Sequence, residues 1–116
     1  MGKIIDLKDK KCVACEGGVP SLAREAAAAL LVQTPQWRMA EDGKTISRGF
    51  RFADFEEAMG FVSKVASLAQ AEGHHPDIHI SYNKVRFDLS THAIGGLSEN
   101  DFILAAKIDG LFGHEG

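Results

Sequence analysis

Imidazole is the side chain in this sequence best suited to proton chemistry at neutral pH. Four of the five histidines, His74, His75, His79 and His92, fall within nineteen residues. An imidazole titrates near neutrality, so it gives or takes a proton at low cost. Imidazoles held together disfavour one another's protonated forms, which keeps one neutral as a base while another carries a proton as an acid. Three of them, His74, His75 and His92, could instead ligate zinc. Against a metal, successive side chains on an extended strand diverge, so the adjacent pair His74 and His75 is poorly placed to converge on one ion. The plain alternative is a polar hairpin end with solvated histidines.

The second chemical candidate is Cys12-Val13-Ala14-Cys15, a lone CxxC. A structural zinc site needs a second pair of ligands, and none stands at a matching spacing. A thioredoxin-type redox site needs a helix directly after the motif, whereas Glu16-Gly17-Gly18 follows here. The favoured reading is an unligated arm. Trp37, Phe50 and Phe52 could stack on a flat ligand, but packing in the core is the simpler use of the phenylalanines.

These residues need elements to place them. Residues 78–91 read as a hairpin, because Ile78, Ile80 and Tyr82 alternate with polar residues, as do Val85, Phe87 and Leu89. A turn at Asn83-Lys84 would pair Tyr82 with Val85, Ile80 with Phe87 and Ile78 with Leu89, so that apolar residues meet apolar ones. Continued outward, that register sets His79 opposite Asp88 and His75 opposite His92, with Cβ atoms roughly 5 Å apart. His74 then lies beside them, at the end of a long helix and before Pro76.

That helix is predicted over residues 54–72. Phe55, Ala58, Met59, Val62, Val65, Ala66 and Ala69 recur at helical spacing. Asp54 with Glu57 resembles a capping box, and Gly73 suits the residue after the helix end. An Ala- and Leu-rich helix is predicted over 21–32, with Ser21 as its cap and Thr34-Pro35 as its stop. Residues 37–52 read as a hairpin turning at Asp42-Gly43, with Met39 facing Ile46. A last helix is expected over 98–111, with Ser98 at its cap and Asp101 three residues on.

The order helix, two strands, helix, two strands, helix predicts an α+β fold in two layers. It has a four-stranded antiparallel sheet from two ββα units, helices on one face and an added N-terminal helix. Residues 1–20 are expected to be a loosely docked arm, and 21–116 a single domain.

With 116 residues, 45% hydrophobic and 25% charged, the chain has the composition of a globular protein with a real core. The net charge of −3 and the scattered Lys and Arg argue against nonspecific binding to nucleic acid or a membrane surface. Two cysteines cannot build a disulfide framework. The start, MGKIIDLKDKK, lacks the apolar stretch of a secretory signal, and residues 26–37 are too short to span a bilayer. A soluble, reducing, cytoplasmic setting is the expectation.

Four segments together carry a resemblance: His74-His75-Pro76-Asp77, Tyr82-Asn83-Lys84-Val85, Ser90-Thr91-His92 and Gly96-Leu97-Ser98-Glu99-Asn100-Asp101. In this combination the sequence resembles the pterin-4a-carbinolamine dehydratases over residues 21–109. The resemblance implies homo-oligomers, commonly tetramers, and no metal or organic cofactor. It implies a 4a-hydroxytetrahydropterin substrate, left by a pterin-dependent aromatic amino-acid hydroxylase as pathway partner, with quinonoid dihydropterin and water as products. It places His74, His75 and His92 at the site as acid and base, with Gly73, Pro76, Ser90, Thr91 and Ala93 bordering the pterin. Asp101 matches a family carboxylate that orients an imidazole; capping the helix at Ser98 is the structural alternative. One departure stands out. Relatives carry an acidic residue four positions before the first histidine of the pair, where this chain has Gln70, and Glu72 is two positions off. The rival readings are a non-catalytic assembly or dimerisation module on the same scaffold, and a small metal-binding protein.

Overall fold

The computed structural model describes residues 7–12 and 21–112. Within them run α1 (Arg24–Leu31), β1 (Arg38–Met39), β2 (Ile46–Arg51), α2 (Phe55–Glu72), β3 (Asp77–Ser81), β4 (Lys84–Leu89) and α3 (Glu99–Phe112). The strands form one antiparallel sheet in the order β1-β2-β4-β3. The α+β architecture read from the sequence is the one observed.

Period-two alternation decides which face of the sheet is dry. Ile46 and Phe50 of β2 and Val85, Phe87 and Leu89 of β4 point to the helices and are buried. α2 answers with Ala58, Phe61, Val62, Val65 and Ala69, and α3 with Phe102, Leu104, Ala105 and Ile108. Phe50, Phe61, Phe87 and Phe112 stack edge-on or tilted at centroid distances between 4.9 and 6.0 Å. Such aromatic pairs each contribute about 0.5–1.5 kcal/mol beyond the area they bury. Phe55 and Ala66, expected on the buried face of α2, are exposed, and Phe61 takes up core volume instead.

The ends of α2 follow the sequence closely. Asp54 caps it, accepting the Glu57 N–H at 2.9 Å, while Glu57 reaches back to the Ala53 N–H at 2.9 Å. α1 is shorter than expected and starts at Arg24, with Ala23 rather than Ser21 before it and no side-chain cap. Ser21 is held elsewhere, because the Leu22 N–H donates to Leu97 O at 2.8 Å. This draws Ser21 so close to Gly96 that a Cβ on Gly96 would stand 2.8 Å from that of Ser21.

The first hairpin pairs Met39 with Ile46, as predicted. The second differs in register. Ser81 pairs with Lys84, Ile80 with Val85 and Ile78 with Phe87, so the turn residues are Tyr82 and Asn83, not Asn83 and Lys84. A slip of two residues leaves every side chain on its original face, so alternation cannot detect it. Asn83 is set from just past the end of β2: it accepts the Phe52 N–H at 2.8 Å and donates its side-chain amide to Phe52 O at 2.9 Å. Tyr82 is left at a left-handed φ of 54°. β3 lies at the sheet edge, and its Ile78 and Ile80, with Tyr82 of the turn, are exposed rather than half-buried.

Candidate active site

At the end of α2, Gly73 takes a left-handed φ of 69°, which favours glycine. The chain leaves the helix there, and the next residue, His74, turns its ring towards the start of α3. Its Nε2 lies 2.6 Å from Asp101 Oδ1. Asp101 has no exposed surface and His74 is 12% exposed. The other carboxylate oxygen, Asp101 Oδ2, accepts from Thr91 Oγ1 at 2.9 Å and from the Ser98 N–H at 3.0 Å. Thr91 Oγ1 also meets Ser98 Oγ at 2.7 Å. The bond from the Ser98 N–H is the reciprocal half of a capping box. Asp101 therefore caps α3 and holds His74 at once.

Thr91 is placed by a short closed loop. Its N–H donates to Gly96 O at 2.8 Å, and a 3-10 turn, His92–Ile94, fills the space between them. This buries the Thr91 hydroxyl against Asp101 and leaves His92 and Ala93 exposed at the surface. The ring of His92 has no hydrogen-bond partner among the described residues. His75 is exposed too, and its Nε2 meets Gln70 Oε1 at 3.1 Å. The predicted pairing of His75 with His92 is absent from the β3–β4 ladder, whose outermost pair is Asp77 with Asp88. Ser90 and Pro76 are half-buried beside these residues in the chain, and Gly73 is exposed.

His79 stands apart. It lies on the outward face of β3, directly opposite Arg86 rather than Asp88. Its Nε2 still reaches Asp88 Oδ2 diagonally at 2.9 Å, and Arg86 Nε holds the other Asp88 oxygen at 3.0 Å. Partial burial opposes the charge on Asp88. Hydrogen bonds from Ser47 and Arg86, the Arg86 charge and His79 outweigh that and lower its pKa. Among the described residues no three His, Cys, Asp or Glu side chains come together as a metal site. A hollow of about 510 Å³ opens on the outward sheet face around Gly49, and a second, also about 510 Å³, beside Phe61 and Phe112. Neither is lined by His74, His75, His92 or Asp101. Those hollows are features of shape alone, whereas the buried carboxylate behind His74 sets an acceptor against an imidazole.

The model of the pterin 4 alpha carbinolamine dehydratase family matches residues 20–111. This chain belongs to that family. It is 52% identical to a relative in Nitrosomonas eutropha over 96% of this chain and 97% of the relative. It is 48% identical to one in Halorhodospira halophila over 92% of this chain and 98% of the relative. Both relatives are named for the same dehydratase family. The crystal structure of a transcriptional coactivator/pterin dehydratase from Brucella melitensis superposes with a TM-score of 0.74 and 31% identity. That match covers 78% of this chain and 97% of the other. A pterin dehydratase-like protein described as a RuBisCO assembly factor of the alpha-carboxysome shares the fold, with a TM-score of 0.58 and 24% identity over 67% of this chain and 90% of the other.

In this pterin carbinolamine dehydratase family member, two features escaped the sequence reading. Gln70, noted only as a departure, supplies the acceptor for His75. Glu72 turns away from the histidines altogether and accepts the Cys12 N–H at 2.8 Å. The half-buried Cys12 thiol is pushed up to about 12, first by burial and then by the neighbouring Glu72 charge and hydrogen bond. It stays protonated at neutral pH, which makes it a poor nucleophile for thiol–disulfide chemistry. Cys15 lies outside the described residues. Among the described residues no helix is long and apolar enough to cross a membrane.

Proposed function

We propose that this protein dehydrates a 4a-hydroxytetrahydropterin to the quinonoid dihydropterin, with His74, His75 and His92 as its acid–base groups. The observation that carries the reading is the contact between His74 and the fully buried Asp101. Asp101 Oδ2 already accepts two donors, and His74 Nε2–H completes the set on Oδ1. With its proton held at Nε2, the imidazole presents the lone pair of Nδ1 as a base. In the reaction the N5–H bond breaks to His74, the C4a=N5 double bond forms, and the C4a–O bond breaks. The hydroxide needs a proton to leave as water, and the exposed imidazoles of His75 and His92 are the donors. Gly73, Pro76, Ser90, Ala93 and the backbone at Thr91 border the pterin. No metal or organic cofactor enters this scheme.

The protein then works in a reducing, soluble compartment, downstream of an aromatic amino-acid hydroxylase that leaves the carbinolamine. It works as a homo-oligomer in which another copy covers an exposed sheet edge. The test is a coupled hydroxylase assay following loss of the carbinolamine absorbance. Purified protein at micromolar concentration should accelerate that loss well above the spontaneous rate, and equally after treatment with a chelator. No acceleration would sink the enzyme reading and favour an assembly module on this scaffold. Loss on chelation with recovery on added zinc would favour a metal enzyme.

A further inference from the structure

Residues 7–12 precede the family match, which begins at residue 20, yet they reach Gln33 past α1, the end of α2 and the start of α3. Leu7 is buried in the core, and its N–H donates to Gln33 Oε1 just past α1, at 3.1 Å. Lys10 Nζ pairs with Glu99 Oε2 at the first residue of α3, at 2.5 Å. The Cys12 N–H donates to Glu72 Oε1 at the last residue of α2, and Cys12 Sγ lies 3.6 Å from Asn100 O. Glu72 is two residues before His74, and Asn100 is one before Asp101. One short segment therefore bridges the two helix ends that carry the two halves of the His74–Asp101 contact.

That contact needs bracing. Its partners are 27 residues apart. Helix ends fray, and His74 lies beyond the left-handed Gly73, tied back to α2 through its N–H to Ala69 O at 3.2 Å. Glu72 is well suited to the task. Its side chain is almost covered, with Lys107 Nζ at 3.6 Å. Burial opposes its charge, but the Cys12 N–H, Lys107 and Lys11 outweigh burial and lower its pKa. It is thus an ionised acceptor, which binds a backbone N–H more strongly than a neutral one. The charged and titratable groups around it are Lys107, Lys11 and the Cys12 thiol. Asp101 and Glu99, the latter paired with Lys10, lie on the adjoining start of α3.

We propose that Glu72 is a positioning residue: by holding the Cys12 N–H it braces the end of α2 against the start of α3 and so fixes His74 on Asp101. Its effect on turnover rests on the dehydratase reading; its effect on geometry does not. Glu72→Ala and Cys12→Pro break the same bond from opposite sides. Glu72→Gln keeps an acceptor for the N–H while losing the charge that Lys107 faces. Cys12→Ala keeps the N–H and loses the thiol.

Two quantities are measured on full-length, folded variants: kcat in the carbinolamine assay, and the His74 Nε2–H proton resonance in NMR. Glu72→Ala and Cys12→Pro should lower kcat about 10- to 100-fold, the scale of a misplaced catalytic group. They should also lose the resonance to exchange. Glu72→Gln and Cys12→Ala should keep both. If Cys12→Pro fails to fold, Glu72→Ala with its Gln counterpart still decides. A purely structural ion pair with Lys107 predicts the reverse, with Glu72→Gln as impaired as Glu72→Ala and Cys12→Pro silent; that pattern overturns the proposal. A resonance unchanged in Glu72→Ala also overturns it. If the unsubstituted protein proves inactive while the resonance follows the predicted pattern, the brace stands and the dehydratase reading falls.

Discussion

Replacing Asp101 by asparagine separates the charge of this residue from its shape. The side chain keeps its volume in a site with no exposed surface, so no cavity opens. What changes is the pattern of donors and acceptors. The Ser98 N–H and the Thr91 hydroxyl, 3.0 and 2.9 Å from Oδ2, both need an acceptor. The asparagine oxygen must therefore take that position, and the amide NH₂ then faces His74 Nε2 across the 2.6 Å contact. An NH₂ cannot accept, so Nε2 must become the acceptor and the His74 proton must move to Nδ1. On the proposed mechanism, the lone pair that would take the N5 proton is gone.

Two magnitudes follow. Hydrogen bonds to a charged group contribute about 1.5–3 kcal/mol against 0.5–1.5 for neutral ones, and removing a buried charge recovers part of its desolvation cost. The net loss of stability is about 1–3 kcal/mol, a fall in Tm of about 4 °C per kcal/mol for a chain of this size. The protein stays folded. kcat should fall about 10²- to 10⁴-fold, the scale of losing a general base, down to the floor set by spontaneous dehydration. ¹⁵N NMR of the imidazole reads the tautomer, and the carbinolamine assay reads kcat on the same sample. A folded variant with the tautomer reversed and kcat unchanged would refute the assignment of His74 as base.

Three further outcomes are expected. His92→Ala should lower kcat by about 10²-fold or more, whereas His79→Ala, which loses an exposed pair with Asp88, should cost under about 1 kcal/mol and little activity; equal damage in two folded variants would show that the open hairpin end is not the reacting end. Light scattering should show an oligomer that Ile80→Lys weakens, since Ile80 is exposed on the unpaired edge strand β3, and a 12.5 kDa monomer at high concentration would contradict this. Because the pKa of Asp88 is lowered on folding, its contribution is present above the unfolded value and lost as pH falls through the folded one; Asp88→Asn should therefore lose less stability than the unsubstituted protein on acidification below about pH 5, and urea melts across that range giving parallel slopes would refute it.

Much of the fold was legible because local signals agreed. α2 carries its cap, its apolar spacing and its terminal glycine in one stretch of sequence, and the structure keeps all three. The Met39–Ile46 pair follows from Asp42-Gly43. What failed depended on neighbours remote in sequence. Ser21 is a good cap residue, but Leu97, 75 positions away from Leu22, takes the Leu22 N–H and moves the start of α1. The second hairpin slipped by two because Phe52, just past the end of β2, grips Asn83. The predicted ion pair of His79 with Asp88 survived the slip, since a diagonal neighbour lies within reach of a long side chain. The pairing of His75 with His92 did not, because both lie beyond the ends of the ladder.

Asp101 shows most clearly where sequence reasoning stops. Capping α3 and orienting an imidazole stood as alternatives, because a sequence offers one residue and each reading asks for one role. A carboxylate has two oxygens and about four acceptor sites, so the roles need not compete. Oδ2 serves the helix start through the Ser98 N–H, and Oδ1 serves His74. Joining the roles has a physical consequence. The helix cap fixes the carboxylate in one orientation before any ligand arrives, so the entropy of orienting His74 is met in folding, ahead of the proton transfer that the dehydratase reading asks of it. The same economy explains why Thr91, expected at the edge of the pterin, turns its hydroxyl inward. It closes the Oδ2 side, so that the only oxygen left for an imidazole is the one that His74 meets.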